Sequence, residues 1–439
     1  MITSTAKDAR VVVIGLGYVG LPLAVSFTEA GFEVSGIDSS IARVEQLKRA
    51  ESPIEDLSRD RLSSVLQKGF KVYSTEASAG VLAAAAVVFV CVPTPVGSAK
   101  DPDLGPMLDA AREIGQNLTP GCLIILQSTS FPGTTMGPFR EMLEKESGLK
   151  AGIDFDLAFA PERVSPGDTA STLRSVPRLV GGSTPAATAR AATLLRHIND
   201  TVVEMTSPDA AEAAKVLENT FRNVNIAFVN HFALLCERMG LDSWEVIDAA
   251  ATKPFGFMRF TPGPGVGGHC IPVDPYYLAW RARQFNFTDR FIELAGDINN
   301  SMPDHVVSLC ATALNSQGIA LNGAHVGVIG VAFKPNIGDA RTSPSAPIIA
   351  SLAQAGAEVA YHDPHVPAFT DAIGGAYESM DLEKMLRGSD LIVVLVSHAK
   401  IDFNSVYEQA SVVVDTVNSS VNHKLRPNTV LRLGAGWNS

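Results

Sequence analysis

The chain has 439 residues, of which 46% are hydrophobic and 18% charged, with a formal net charge of −11. That length predicts two or three domains, and the acidic balance argues against nucleic acid as a partner because there is no general phosphate-attracting field. The cysteines, Cys91, Cys122, Cys236, Cys270 and Cys310, are odd in number and widely spaced, with no CxxC pair; this predicts neither a disulfide framework nor a metal site.

The opening MITSTAKDAR has no signal-peptide layout and leads into RVVVIG (10–15). That β-branched run ended by glycine reads as a buried parallel strand. GLGYVG (15–20) follows directly, and LPLAVSFTEAG continues as a helix. FEVSGID is the next strand and ends at Asp38, roughly 20 residues beyond the first glycine. Alone, GxGxxG is a weak signal that a structural glycine turn also explains. Between a strand and a helix, with an acid at this distance, it predicts a dinucleotide-binding loop. Gly15 permits the tight turn, and Gly20 permits close packing of helix on strand. Gly17 lets a pyrophosphate approach the helix N-terminus, where unpaired N–H groups and the helix dipole favour an anion. A carboxylate at Asp38 suits the ribose hydroxyls of NAD and repels the 2′-phosphate of NADP, although Arg43 nearby softens that preference. NAD is the expected cofactor.

AAVVFVCVPTP (85–95) and CLIILQSTS (122–130) read as further strands of a doubly wound parallel sheet. The longest apolar run, VLAAAAVVFVCV, is too short to span a bilayer, which predicts a soluble, cytoplasmic protein with no membrane partner. A long helix then starts at Ser207 as N-cap with Pro208 at the first helical position, and ends at Gly240. At ~100° per residue, Lys215, Asn219, Arg222, Asn223 and Asn230 share one stripe, with Leu217, Phe221, Val224, Phe228 and Leu235 opposite. A polar stripe is ordinarily a solvated face. This one is mostly amides, which favours the wall of a site.

The next notable stretch is PGPGVGGHCIPVDP (262–275), with glycines at 263, 265, 267 and 268 and then Cys270. So many glycines mark a tight bend or a close approach to the backbone. Later, AHVGVIGVAFK (324–334), AEVAYHDP (357–364), SDLIVVLVSHA (389–399) and SVVVDT (411–416) echo the first half, without a full glycine fingerprint and with an insertion, KPNIGDARTSP. The expected fold is therefore α/β, with two Rossmann-like doubly wound domains joined by a long central helix. The expected boundaries are 1–206 for the NAD-binding domain, 207–310 for a central helical domain carrying the glycine turn, and 311–439 for the second Rossmann-like domain.

A lone cysteine is usually a small buried hydrophobe. Cys91, Cys122, Cys236 and Cys310 fit that reading, each within or beside an apolar strand or helix. Cys270, in a glycine turn, does not. An NAD enzyme with a nucleophilic cysteine points to a four-electron oxidation. A hydride leaves an alcohol carbon, and a thiolate adds to the resulting aldehyde. The thiohemiacetal then gives up a second hydride, and water hydrolyses the thioester. Nearby cationic groups help a thiol ionise. Lys215 is the candidate for that and for holding the oxyanion, and Asp274 for proton transfer or water positioning. Two other readings are open: a one-step hydroxyacid dehydrogenase, which needs no cysteine, and a non-catalytic NAD-binding regulator.

GLGYVG, VPTP (92–95), STSFPGTT (128–135), APERVSPG (160–167), the helix with Lys215 and Asn219, PGPGVGGHCIPVDPYYL and FKPNIGDARTSP occur in one order along nearly the whole chain. Together they resemble the UDP-glucose/GDP-mannose dehydrogenases. The resemblance implies a UDP-sugar substrate, a C-terminal domain binding the UDP part, and a homodimer or higher homo-oligomer built on the central helix. It implies Cys270 as nucleophile, Lys215 and Asp274 as a catalytic pair, and Asn219 as oxyanion and substrate contact. Thr129 and Glu162 would position the catalytic water. Cofactor contacts would come from Gly15, Leu16, Gly17, Tyr18, Val19, Gly20, Asp38, Arg43, Thr94, Thr129 and Arg341. Substrate contacts would come from Glu162, Arg163, Lys215, Asn219, Arg259, Lys334 and the backbone of Gly265, Gly267 and Gly268, left bare so that a nucleotide sugar can lie against it. GGHCIPVDPYYL, with His269 and Val273, together with PERVSPG, is similar to the branch using UDP-N-acetylhexosamines. DPYYLAWRARQF is more like the UDP-N-acetylglucosamine 6-dehydrogenases than the UDP-N-acetylmannosamine enzymes, which with UDP-glucose dehydrogenase are the alternatives. Val417 stands where many relatives have arginine, so no ligand contact is carried over there.

Overall fold

The structure, a computed structural model, describes residues 9–54, 57–97, 100–164 and 172–438. The opening MITSTAKD and Ser165, Pro166 and Gly167 of the APERVSPG motif lie outside the described residues. The chain divides into two compact units, Met1–Glu218 with Tyr276–Phe287, and Asn219–Pro275 with Thr288–Ser439.

In the first unit β1 (Arg10–Ile14), β2 (Glu33–Asp38), β3 (Lys71–Ser74), β4 (Val87–Val90), β5 (Leu123–Leu126), β6 (Asp156–Phe159), β7 (Arg178–Gly182) and β8 (Val202–Met205) form one sheet. Their order is β3-β2-β1-β4-β5-β6-β7-β8. β1 to β6 are mutually parallel, and β7 turns antiparallel to β6. VVFV of β4 and LIIL of β5 are buried at every position, as parallel strands covered on both faces are. One face packs around Phe27, Leu47, Phe89 and Leu195, the other around Met107, Leu126, Phe139 and Phe159. Each such side chain contributes about 1.5–3 kcal/mol through burial.

The second unit repeats the theme. β9 (His325–Ile329), β10 (Glu358–His362), β13 (Leu391–Val394), β14 (Val413–Asp415), β15 (Val430–Arg432) and β16 (Gly436–Trp437) run in the order β10-β9-β13-β14-β15-β16, while β11 (Ala368–Thr370) and β12 (Ala376–Glu378) form a separate hairpin. The late echo in the sequence is thus a second parallel sheet, closed by the antiparallel β16.

The long helix spans Pro208–Met239. The Ser207 hydroxyl accepts from the Ala210 N–H at 3.2 Å, the cap read from sequence. Its two stripes are inverted relative to a simple amphipathic helix. Lys215, Asn219, Asn223 and Asn230 are buried, while Arg222 of the same stripe is exposed; on the apolar stripe Leu217 and Phe228 are 62% and 63% exposed, Phe221 and Leu235 are exposed too, and Val224 is half-buried. No helix among the described residues is long and apolar enough to cross a membrane.

Candidate active site

The turn after β1 has the geometry its glycines predict. Gly15 takes φ +88°, a left-handed conformation that glycine adopts without steric cost. A Cβ on Gly20 would lie 1.8 Å from the Gly15 carbonyl oxygen, so only glycine fits there. A Cβ on Gly17 would meet nothing closer than Arg43 Nη1, 4.0 Å away, which leaves open the approach a pyrophosphate needs. Tyr18 is exposed, Val19 precedes the first helical residue and Leu16 is buried in the core. Asp38 closes the arrangement: Oδ2 accepts from the Leu16 N–H at 2.8 Å and Oδ1 from the Ser40 N–H at 2.9 Å. Arg43 Nη1 stands 3.5 Å from Asp38 Oδ2. The acid therefore braces the loop, and these residues fit NAD.

The carboxyl ends of the next strands extend this edge, where open α/β sheets bind their ligands. Thr94, after β4, donates its hydroxyl to the Thr129 carbonyl, after β5, at 2.6 Å. The Tyr277 hydroxyl donates to the Thr94 carbonyl, and Trp280 packs on Phe131 at 4.7 Å. Both threonine loops are thus fixed by residues 276–287. Glu162 follows β6. Its Oε1 accepts from the N–H groups of Arg163 and Val164 at 2.7 and 2.8 Å, and its Oε2 from Arg178 Nη1 at 2.6 Å. Burial would raise the Glu162 carboxyl. The adjacent guanidinium and the backbone donors outweigh burial and hold it below the ordinary carboxylate range. Arg163 itself pairs with Glu218 at 2.6 Å.

Two residues here escaped the reading from sequence. Arg178 is one. Glu212 is the other, one turn before Lys215 on the long helix. Its carboxylate accepts from Gly133 N–H at 2.6 Å, Thr135 N–H at 2.8 Å and the Thr135 hydroxyl at 2.6 Å, so it anchors the STSFPGTT loop that carries Thr129. Burial pushes the Glu212 carboxyl up to about 7, against the lowering effect of those donors. The one available signal was an acid amid the alanines of AAEAAK, where the helix had to be buried.

In the second unit the Asn219 amide donates to Asp274 Oδ2 at 2.5 Å, and both residues are buried. The Cys270 carbonyl accepts from the Asp274 N–H at 2.8 Å. Cys270 is exposed, while Cys122, Cys236 and Cys310 are buried and Cys91 is intermediate. The amides of Asn223 and Asn230 are engaged inside this unit. Asn299 donates to Asn223 Oδ1 at 2.9 Å, Asn230 donates to Asn299 Oδ1 at 3.0 Å, and Asn230 Oδ1 accepts from the Gly263 N–H at 3.0 Å. Part of the polar stripe therefore holds the glycine turn in place.

The glycines of that turn also have a reason within the chain. A Cβ on Gly267 would lie 2.7 Å from Phe333 Cβ and 3.0 Å from the Thr342 carbonyl oxygen. Gly265 and Gly268 take φ +133° and +92°, close against Pro344 and Phe333 respectively. The absent side chains make room for the segment 333–344. Thr342, itself at φ +55°, donates its hydroxyl to the Gly268 carbonyl at 3.0 Å. His269 meets Asp339 at 3.1 Å, and Asp339 takes both Nε and Nη2 of Arg341. Lys334 lies in the same segment. Arg259 pairs with Asp248 at 2.7 Å, and the Val417 N–H is taken by Asp415. At the second fingerprint-like turn, Asp363 Oδ2 accepts from the Val331 and Ala332 N–H groups at 2.8 and 3.1 Å. The buried His398 accepts at Nδ1 from the Asn336 N–H and so donates from Nε2 to Asp363.

Three family models match in order: the NAD binding domain of the UDP-glucose/GDP-mannose dehydrogenase family over 9–199, its central domain over 209–301 and its UDP binding domain over 327–421. The chain is 38% identical to a UDP-N-acetyl-D-glucosamine 6-dehydrogenase of Pseudomonas aeruginosa, over 82% of this chain and 84% of the relative. It is 35% identical to a UDP-N-acetyl-D-mannosamine dehydrogenase of Pyrococcus horikoshii, over 95% and 94%. A solved structure of UDP-D-ManNAc dehydrogenase from Pyrococcus horikoshii matches with a TM-score of 0.84 at 32% identity, over 97% of this chain and 99% of that one.

Proposed function

The chain belongs to the UDP-glucose/GDP-mannose dehydrogenase family and is an NAD-dependent UDP-sugar dehydrogenase, and from that premise we propose that it oxidises the C6 hydroxymethyl of a UDP-N-acetylhexosamine, UDP-N-acetylglucosamine by preference, to the uronic acid. The observation carrying the four-electron reading is the exposure of Cys270 in a glycine turn, where the other cysteines are buried or half-buried. NAD, when bound, supplies the hydride acceptor for each oxidation. Cys270 adds as thiolate to the C6 aldehyde, and the tetrahedral carbon so formed gives up the second hydride to leave a thioester. Lys215 stabilises the oxyanion. Asp274, held by Asn219, serves proton transfer. Glu162 and Thr129 hold the water that hydrolyses the thioester. Arg163, Arg259, Lys334 and the backbone of Gly265, Gly267 and Gly268 contact the substrate, and Arg341 the cofactor.

The N-acetylglucosamine preference rests on DPYYLAWRARQF and on the 38% identity to the Pseudomonas relative. UDP-N-acetylmannosamine is the second reading, favoured by the fuller coverage of the Pyrococcus relative. The test counts NADH per sugar consumed and compares kcat/KM across UDP-glucose, UDP-N-acetylglucosamine, UDP-N-acetylmannosamine and UDP-N-acetylgalactosamine. Two NADH per sugar are expected, with UDP-N-acetylglucosamine highest. Cys270→Ser should bind NAD as before and form no acid; one NADH per sugar in the unsubstituted enzyme would point to the hydroxyacid-type reaction instead.

A further inference from the structure

Arg178 opens β7, whose register with β6 pairs Ala158 with Gly182 and Phe159 with Gly181. The same register, continued, sets Glu162 opposite Arg178, and their side chains meet at 2.6 Å with Arg178 only 2% exposed. A wholly buried arginine is a poor stabilising device. Desolvation of the two charges commonly cancels their attraction, and an apolar pair of similar volume often serves as well. This one is also incompletely satisfied. Nε and Nη2 are buried and meet no acceptor among the described residues. The guanidinium is a rigid planar fork, so Nη2 lies beside the Nη1 that holds Glu162. A buried guanidinium left so under-satisfied costs stability; what it provides is the fixed orientation of Glu162, whose Oε2 it holds while two backbone N–H groups hold Oε1.

We propose that Arg178 is a positioning residue for the hydrolytic half of the reaction, fixing the Glu162 carboxylate in the orientation in which it takes the proton of the attacking water. The inference rests on the thioester reading above. In the step it serves, the water oxygen bonds to the thioester carbon, its proton passes to Glu162, the carbon–sulfur bond breaks and the sulfur leaves as thiolate. No electrons pass to a cofactor in this step. The two oxidations that precede it do not call on Arg178.

The test is a pre-steady-state measurement on Arg178→Met and Arg178→Lys with NAD and the preferred UDP-sugar. It follows NADH and the intact mass of the protein together. For Arg178→Met a burst of two NADH per active site is expected at a rate within about threefold of the parent. Steady-state turnover should then be slower by about 100-fold, the lower end of what a positioned general base contributes, with a sugar adduct accumulating on the protein. Arg178→Lys should recover most of the turnover, and Glu162→Gln should accumulate the same adduct. Equal slowing of burst and turnover without an adduct, in whichever of the two Arg178 variants folds, overturns the role of Arg178. A parent enzyme that gives one NADH per sugar overturns the thioester reading itself, so the two failures are distinct.

Discussion

Glu212 is a residue at which burial and hydrogen bonding act in opposite directions, and burial prevails: the carboxyl sits at about 7 rather than 4.5. Between those values the folded chain binds a proton that the unfolded chain does not. Its contribution to stability is therefore complete below about 4.5 and declines as the pH rises through about 7, by up to ~3 kcal/mol. Glu162 and Asp339 are shifted the other way, so their stabilisation is lost as the pH falls through the carboxylate range. Replacing Glu212 isolates its own contribution. Urea unfolding of the parent and Glu212→Gln at pH 5 and pH 7.5 should show the parent losing more stability on going to the higher pH, with the difference between the two curves opening across that interval. Parallel curves would mean that Glu212 is ionised throughout.

Among the elements, the glycine turn and the segment 333–344 form the closest fit. Gly267→Ala would push a methyl into Phe333 Cβ and the Thr342 carbonyl, atoms that cannot swing aside. Overpacking of that kind costs about 1–3 kcal/mol. Gly263→Ala meets open space and should leave the melting temperature almost unchanged. Thermal unfolding of both variants checks the pair, and equal effects would show that Phe333 and Thr342 do not confine Gly267. The turn was legible in the sequence as an anomaly, and Cys270 as its point, because glycine density is a local property. The reason for Gly267 was not, since Phe333 and Thr342 are remote in sequence and only the fold brings them there. GLGYVG and Asp38 were readable for the same local reason, whereas Arg178 and Glu212 carry no local pattern and acquire meaning only from partners across the sheet or in the next loop. β3, β6, β7 and β8 were likewise not read; KVYS and VVEM are short and partly exposed, too brief to show a period.

For the molecule as a whole, the informative feature is the inverted helix. Sequence periodicity separated its amides from its apolar side chains correctly, but the usual rule that the apolar side faces inward fails here. Phe221, Phe228 and Leu235 recur every seven residues along Pro208–Met239, on a face exposed in the single chain. An apolar stripe of this period is what a second helix covers, and the homo-oligomer that the resemblance implies would place another copy of this chain there. Phe228→Asp should shift the protein to a smaller species in sedimentation equilibrium, and an unchanged mass would send the assembly surface elsewhere. The same helix carries Lys215 among its buried residues, without a break between that residue and the phenylalanines. Were a second copy to cover that stripe, it would brace the helix that bears the amine, and activity per chain would depend on how crowded the chains are. A dilute preparation would then run below its capacity for want of neighbours, with every ligand present.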